Sequence, residues 1–176
     1  MRVLASIIFS VMFGEGAHAC AAFIPRKLDH IQYADVVVIG HVFNYTIVRD
    51  EASRRRILSN PKLSEADRKF YEDKNTGLVT DHARFEIRVE KTLKGRVPRK
   101  VSVTWDNSTF EEPGTMASGP FLIALRRSGA NATAQRDPRT DSFVLLQAPC
   151  SSPFLFESAT DEAKAVRRMI QNHPSD

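Results

Sequence analysis

The chain has 176 residues, and its 25 lysines and arginines exceed its 21 aspartates and glutamates by enough to give a formal net charge of +4. This length suits one domain with a core of its own, and so mild a basic excess does not identify a partner. The apolar run at residues 3–14 is shorter than the roughly 20 residues of a spanning helix, so no transmembrane segment is predicted.

The start of the chain has the pattern of a secretory signal peptide. Arg2 precedes the apolar run at residues 3–14, and Ala17 and Ala19 supply the small residues of an A-x-A cleavage site. We therefore expect residues 1–19 to be removed before Cys20, which gives a secreted or periplasmic protein. A lipoprotein signal also ends at a cysteine, but it carries leucine where this chain has Ala17. A lipid anchor is thus the alternative to a soluble product.

The sequence contains two cysteines, Cys20 and Cys150. An exported chain meets oxidising conditions, in which paired thiols form a bridge, so we predict a Cys20–Cys150 disulfide. Closing so long a loop stabilises a domain by up to about 4–5 kcal/mol in the chain-entropy model. The bridge would pin the new N-terminus to the domain.

Five segments have the composition or the alternation of β-strands. They lie at residues 34–48, 83–93, 100–105, 121–127 and 142–148. The second is the clearest, because Phe85, Ile87 and Val89 alternate with charged residues. Gly40 indicates a bulge or bend in the first. Short strands joined by turns and loops predict a small antiparallel barrel or sandwich.

Two helices are also predicted. Asn60 and Pro61 have the pattern of a helix start, which places a polar helix in the insertion between the first and second strands. Ser158 or Thr160 is the expected cap of a C-terminal helix that covers one side or one end of the barrel. No repeat or linker divides residues 20–176, so we expect a single domain.

Several motifs carry a family resemblance when they are taken in chain order. Pro25 follows soon after the cysteine at the predicted cleavage point, and the later segments are ADVVVIGHV at 34–42, FEIRVEKTLKG at 85–95, GPFLIAL at 119–125 and PCSS at 149–152. Together they resemble netrin-like and tissue-inhibitor-of-metalloproteinase-like (TIMP-like) modules. The resemblance implies a mainly β protein: a five-stranded OB-like antiparallel β-barrel with a helical insertion between strands 1 and 2 and a C-terminal helix.

The resemblance also implies a function without catalysis. We expect a protein-binding module that acts as a monomer, with a partner that the sequence does not identify. Inhibitor members of the family present the amine and carbonyl of their N-terminal cysteine to the zinc of a metalloproteinase. By resemblance, Cys20 would chelate that zinc, Ala21 would point to the first primed pocket, and Ala22 and Phe23 would form the adjoining edge. Inhibitors begin with Cys-x-Cys, which this chain lacks, so inhibition is the alternative.

Two basic clusters are the first candidates for a partner surface. They comprise Arg54, Arg55 and Arg56 in the insertion, and Lys94, Arg96, Arg99 and Lys100 at the turn after the second strand. Such clusters attract an acidic partner, a polyanion or a membrane surface, and solvated loop charge is their alternative interpretation.

The sequence lacks recognisable motifs for catalysis, metal binding and nucleotide binding. No hydrolase, nucleotide-loop or zinc spacing occurs, so we expect neither an enzyme nor a resident metal or cofactor. Pairing of the first two strands could bring His41 and His82 together, although a strand-surface role is the simpler interpretation. Glu86 and Glu90 interleave with arginines, so we expect them to pair across strands.

A binding site for oligosaccharides or oligonucleotides is the second alternative that an OB barrel allows. It requires aromatic side chains displayed on the face of strands two and three. Phe85 and Trp105 are in phase with apolar neighbours, so we expect them in the core. Export makes a nucleic-acid partner unexpected.

Overall fold

The computed structural model describes residues 24–78, 80–106, 113–128, 143–148 and 150–172. The predicted leader lies outside these ranges, as do Cys20 and the edge residues Ala21, Ala22 and Phe23.

The described chain is mainly β. Its elements in order are a 3-10 helix (Leu28–Tyr33), β1 (Val36–Val48), α1 (Glu51–Leu58), α2 (Glu65–Glu72), β2 (His82–Lys94), β3 (Lys100–Asp106), β4 (Phe121–Arg127), β5 (Phe143–Leu145), β6 (Leu155–Glu157) and α3 (Asp161–Asn172). None of the helices in this described part is long and apolar enough to cross a membrane.

Five of the strands close into a barrel. β1 pairs with β2, β2 with β3, β3 with β5, β5 with β4, and β4 returns to β1. The prediction of an antiparallel barrel is wrong, because β3 and β5 run parallel and the barrel is mixed. The reason is geometric: a closed ring with an odd number of strands cannot reverse direction at every step, so at least one neighbouring pair must be parallel.

Two apolar clusters share the sheet as a common wall. The inner cluster fills the barrel and includes Val36, Val38, Val42, Phe85, Ile87, Val103, Trp105, Ile123, Leu125 and Phe143. The outer cluster includes Ile31, Val37, Leu122, Ala124, Phe154, Phe156, Ala163 and Val166, and it joins β4 to α3 and the 3-10 helix. β4 is buried on both faces, which explains why its sequence is a continuous apolar run instead of an alternating one.

The chain between β1 and β2 forms α1 and α2. The Asp50 side chain caps α1 by accepting a hydrogen bond from the Ser53 amide at 2.9 Å, and its bonds with Ser53 lower the pKa of Asp50 to about 2. α2 begins after Ser64, which accepts from the Asp67 amide at 3.1 Å, and not at Asn60 as predicted. A helix is capped by the residue whose side-chain oxygen reaches its free amides. The sequence offers Ser59, Asn60 and Ser64 before α2, and pattern alone does not distinguish them.

Two glycines permit close approaches within the barrel. The strand register shifts between Ile39 and Gly40, where a Cβ atom would lie 2.5 Å from the Arg88 carbonyl oxygen. Gly95 follows β2 with φ of +74°, in the left-handed region that favours glycine, and a Cβ atom there would lie 2.2 Å from the Asp35 carbonyl oxygen. Both positions therefore exclude a side chain.

Candidate binding surfaces

The first described residues are tied to the loop before β6. The Ile24 amide donates a hydrogen bond to the Cys150 carbonyl at 2.8 Å. The Arg26 guanidinium donates to the Pro153 carbonyl and lies over the Phe156 ring, with 4.0 Å between Cζ and the ring centroid. Partial burial lowers the pKa of Arg26. A hydrogen bond at each end and a cation–π contact thus hold residues 24–26 against the domain.

In the sequence, Cys20 and the residues of the predicted inhibitory edge directly precede Ile24. Cys20 and the edge residues Ala21, Ala22 and Phe23 lie outside the described residues, so the bridge and the edge stay predictions. Cys150 is described, and its φ of 61° places it in the left-handed region, which residues other than glycine seldom adopt. The sequence offered no signal for that conformation, since Cys150 is followed by two ordinary serines.

Arg54, which was predicted to be part of a basic partner surface, is buried within the insertion. Its side chain is buried, with 5% of the residue exposed. One guanidinium nitrogen donates to the carbonyls of Tyr71 and Asp73 at 2.6 and 3.0 Å, and the other donates to the carbonyl of Thr76 at 2.5 Å. These carbonyls follow or end α2, where backbone acceptors lack helical partners. Arg54 therefore holds the insertion together.

The remaining basic residues form two separate groups. Arg55 and Arg56 are exposed on α1, and Arg96, Arg99 and Lys100 are exposed at the turn between β2 and β3. Lys94 is half-buried and donates to the Gln32 carbonyl at 3.0 Å. α1 follows the end of the β1–β2 ladder where Val48 pairs with His82, whereas the turn leaves the opposite end, where Val37 pairs with Lys94. The structure does not bring the two groups together.

The buried carboxylate of Asp81, which the sequence analysis did not identify, links the two ends of the insertion. Asp81 is 1% exposed, and its carboxylate accepts hydrogen bonds from the Leu78 amide and an Arg49 guanidinium nitrogen at 2.8 Å each and from the Asp50 amide at 2.7 Å. Burial alone would raise the pKa of Asp81, but these bonds and the charge of Arg49 lower it. Asp81 therefore ties the end of β1 to the start of β2.

Charged side chains pair across the outer face of β1, β2 and β3. Glu86 accepts from Lys100 at 2.7 Å and from the Asn44 amide group at 2.5 Å, and the bond with Lys100 is the main reason that the pKa of Glu86 is lowered. His41 Nε2 lies 2.8 Å from a Glu90 carboxylate oxygen. The predicted cross-strand pairing of Glu86 and Glu90 is confirmed, and the register of the three strands explains it.

The two strand histidines stay apart. His41 faces Arg88 across β1 and β2, whereas His82 faces Val48 at the end of the ladder. Within the described ranges, no group of three His, Cys, Asp or Glu side chains could hold a metal ion. Strand pairing therefore does not assemble a histidine site.

The aromatic residues of β2 and β3 point into the barrel. Phe85 is 2% and Trp105 6% exposed, and the Trp105 indole donates to the Gln147 side-chain oxygen at 2.9 Å. The outer faces of β2 and β3, which are described throughout, carry no phenylalanine, tyrosine or tryptophan. The prediction that both rings belong to the core is confirmed.

Comparison with protein-family models, with curated proteins and with solved structures gives no significant match for this chain. The barrel and its candidate surfaces are therefore the basis for inferring a function.

Proposed function

We propose that the chain is an exported, non-catalytic protein-binding module of the netrin-like or TIMP-like type, built on an OB-like barrel. The barrel supports this proposal because the chain passes from β3 to β4 and returns to β5 between them, a Greek-key connection of the kind found in OB folds. The motif segments at 34–42 and 119–125 contribute β1 and β4, which are neighbours in the barrel.

The anchoring of residues 24–26 is the observation that carries the proposal. The Ile24 amide is hydrogen-bonded to the Cys150 carbonyl, and three residues, or four Cα–Cα steps, separate Ile24 from Cys20. Four such steps reach up to about 14 Å, so a Cys20–Cys150 bridge is compatible with this anchor. An N-terminus that is already held against its domain loses little conformational freedom when a partner binds, which favours affinity.

Inhibition of a zinc metalloproteinase is the alternative that the same anchor favours. In that case the amine and carbonyl of Cys20 would occupy the open position of the protease zinc. The second bridge of the family's inhibitors is absent, since Ala21 and Ala22 follow Cys20. The oligosaccharide or oligonucleotide alternative is weaker, because Phe85 and Trp105 are buried and cannot stack on a ligand.

A direct test of the alternative uses the N-terminus itself. The mature protein and a version with one extra alanine before Cys20 would be assayed against a panel of purified zinc metalloproteinases. Inhibition that the added alanine abolishes would establish chelation by Cys20. Equal potency of both forms, or no inhibition by either, would rule out inhibition through Cys20 and leave the binding-module hypothesis.

The basic groups at the two ends of the β1–β2 ladder give matched variants for the general proposal. Extracellular proteins would be crosslinked to the wild type, to Arg55→Glu/Arg56→Glu and to Arg96→Glu/Arg99→Glu. Both pairs reverse two exposed charges, so a loss of capture in one variant alone identifies the end that the partner contacts. Capture that is unaffected in both would eliminate these surfaces, and the absence of any specific partner would contradict the binding module.

A further inference from the structure

A groove of about 310 Å³ lies on the outer face of the barrel, and its lining shares no residue with the N-terminal anchor. It is lined by His41, Val42, Phe43, Arg88 and Ser118. β1 supplies the first three, β2 supplies Arg88, and Ser118 precedes β4 and accepts the Val42 amide through its carbonyl at 2.7 Å. This volume is at the lower end of ligand sites, so the groove suits one or two side chains.

Arg88 is the unpaired charge in this groove. The neighbouring acids are engaged elsewhere: Glu90 lies against His41, and Glu86 binds Lys100 and Asn44. Arg88 is exposed and makes neither an ion pair nor a side-chain hydrogen bond with any residue that the structure describes. The fork of its guanidinium is therefore available to an anion.

A lysine and an apolar wall also lie near Arg88. The strand register places His41, Arg88 and Lys100 in one row across three strands, which lie about 4.8 Å apart. Lys100 stands 5.2 Å from the centre of the Phe43 ring. The exposed Ser118 side chain adds a hydroxyl donor to the groove, and Phe43 offers a surface for an aliphatic stem.

We propose that this groove binds the carboxylate of a glutamate or aspartate side chain, contributed by a protein partner, with Arg88 as the binding residue. This inference rests on the proposed function for the origin of the acidic side chain. A guanidinium fork matches a carboxylate through two parallel hydrogen bonds. The flanking Glu86 and Glu90 offset much of the basic charge, which favours a singly charged carboxylate over a doubly charged phosphate.

The test uses a hexaglutamate peptide as the probe and the purified wild-type protein. The Arg88 Nε–Hε and His41 amide resonances would be followed by nuclear magnetic resonance during titration. We expect both to shift, and we expect Arg88→Gln to weaken binding at least tenfold. Arg84→Gln is the matched control, because Arg84 is exposed on the same strand and the same face but does not line the groove. It should bind within about twofold of wild type.

Ser118→Ala provides a second variant, for which we expect a smaller loss of about threefold, and urea unfolding would show that each variant is folded. Absent shifts at Arg88, or an equal loss in Arg84→Gln, would overturn the proposal. Tighter binding of inorganic phosphate than of the peptide would overturn the choice of carboxylate. The titration needs no natural partner. If the peptide binds but no extracellular partner is found, the groove proposal is supported and the proposed function is contradicted. If a partner is captured but the peptide does not bind, the proposed function is supported and the groove proposal is contradicted.

Discussion

Replacing Asp81 by alanine should destabilise the insertion between β1 and β2. The change leaves the Leu78 and Asp50 amides and the Arg49 guanidinium without their common acceptor. Removing one partner of a buried ion pair costs about 3–5 kcal/mol, and a buried amide left unpaired costs about 1–3 kcal/mol. The Arg49 side chain is 32% exposed and can turn toward water, so we expect a loss near the lower end, about 3 kcal/mol.

Urea unfolding and amide hydrogen exchange would measure this loss. Exchange at Leu78 and Asp50 is included because the insertion can open without unfolding the barrel, and Asp81→Ala should accelerate both amides. Asp161→Ala is the control: this carboxylate is 95% exposed and paired with Lys164, so its removal should cost about 1 kcal/mol or less. A change within 1 kcal/mol for Asp81→Ala, with unchanged exchange at both amides, would show that Asp81 does not hold the insertion together.

The acid dependence of the same variant follows from linkage. The pKa of Asp81 is lower in the folded protein than its ordinary value of about 3.9, so the carboxylate contributes its stability above that pH and loses it as the pH falls. The difference in stability between the wild type and Asp81→Ala should therefore shrink below pH 4. A difference that stays constant between pH 6 and pH 3 would contradict the assigned charge.

Three further predictions concern the core, the barrel and a helix cap. Phe154→Ala removes a ring that is 1% exposed and should cost about 3–5 kcal/mol in urea unfolding, whereas Phe70→Ala, at a residue 56% exposed, should cost about 0.5 kcal/mol or less. Gly40→Ala drives a methyl group into a carbonyl oxygen of β2 and should cost more than 1 kcal/mol, while Gly114→Ala, with nothing within 4 Å, should be near neutral; equal effects would contradict the packing. Between pH 4 and pH 2, Asp50→Asn should lose less free energy of unfolding than the wild type, since the pKa of Asp50 is lowered to about 2 and its protonation destabilises the wild type over this range.

The sequence predicts a strand most clearly where one face is buried and the other is exposed to solvent. β2 and β3 alternate, and β4 is a continuous apolar run because the outer apolar cluster covers its second face. The sequence does not predict β6, because its three residues, Leu155–Glu157, are too few to show a period. A parallel pair could have been predicted from the strand number alone, since a closed ring of five strands cannot be wholly antiparallel. The identity of that pair, β3 and β5, required the structure.

The surfaces were less predictable than the strands. Glu86 and Glu90 could be assigned to cross-strand pairs because strand alternation fixes their common face. The burial of Arg54 depends on three carbonyls more than fifteen residues away that only the folded insertion brings together. Asp81 likewise binds groups from two ends of that insertion. Periodicity reports which face of an element is buried, and it contains no information about such tertiary partners.

Intact mass measurement is the most direct test of whether the chain is exported with its N-terminus bridged to the domain. The full chain, including residues 1–19, would be expressed in a secreting host, and the intact mass of the secreted product would be measured before and after reduction and thiol alkylation. The account predicts unmodified residues 20–176, with two thiols that react only after reduction. A retained leader, a lipid on Cys20, or thiols at Cys20 and Cys150 that react without reduction would contradict an exported module whose N-terminus is bridged to its domain.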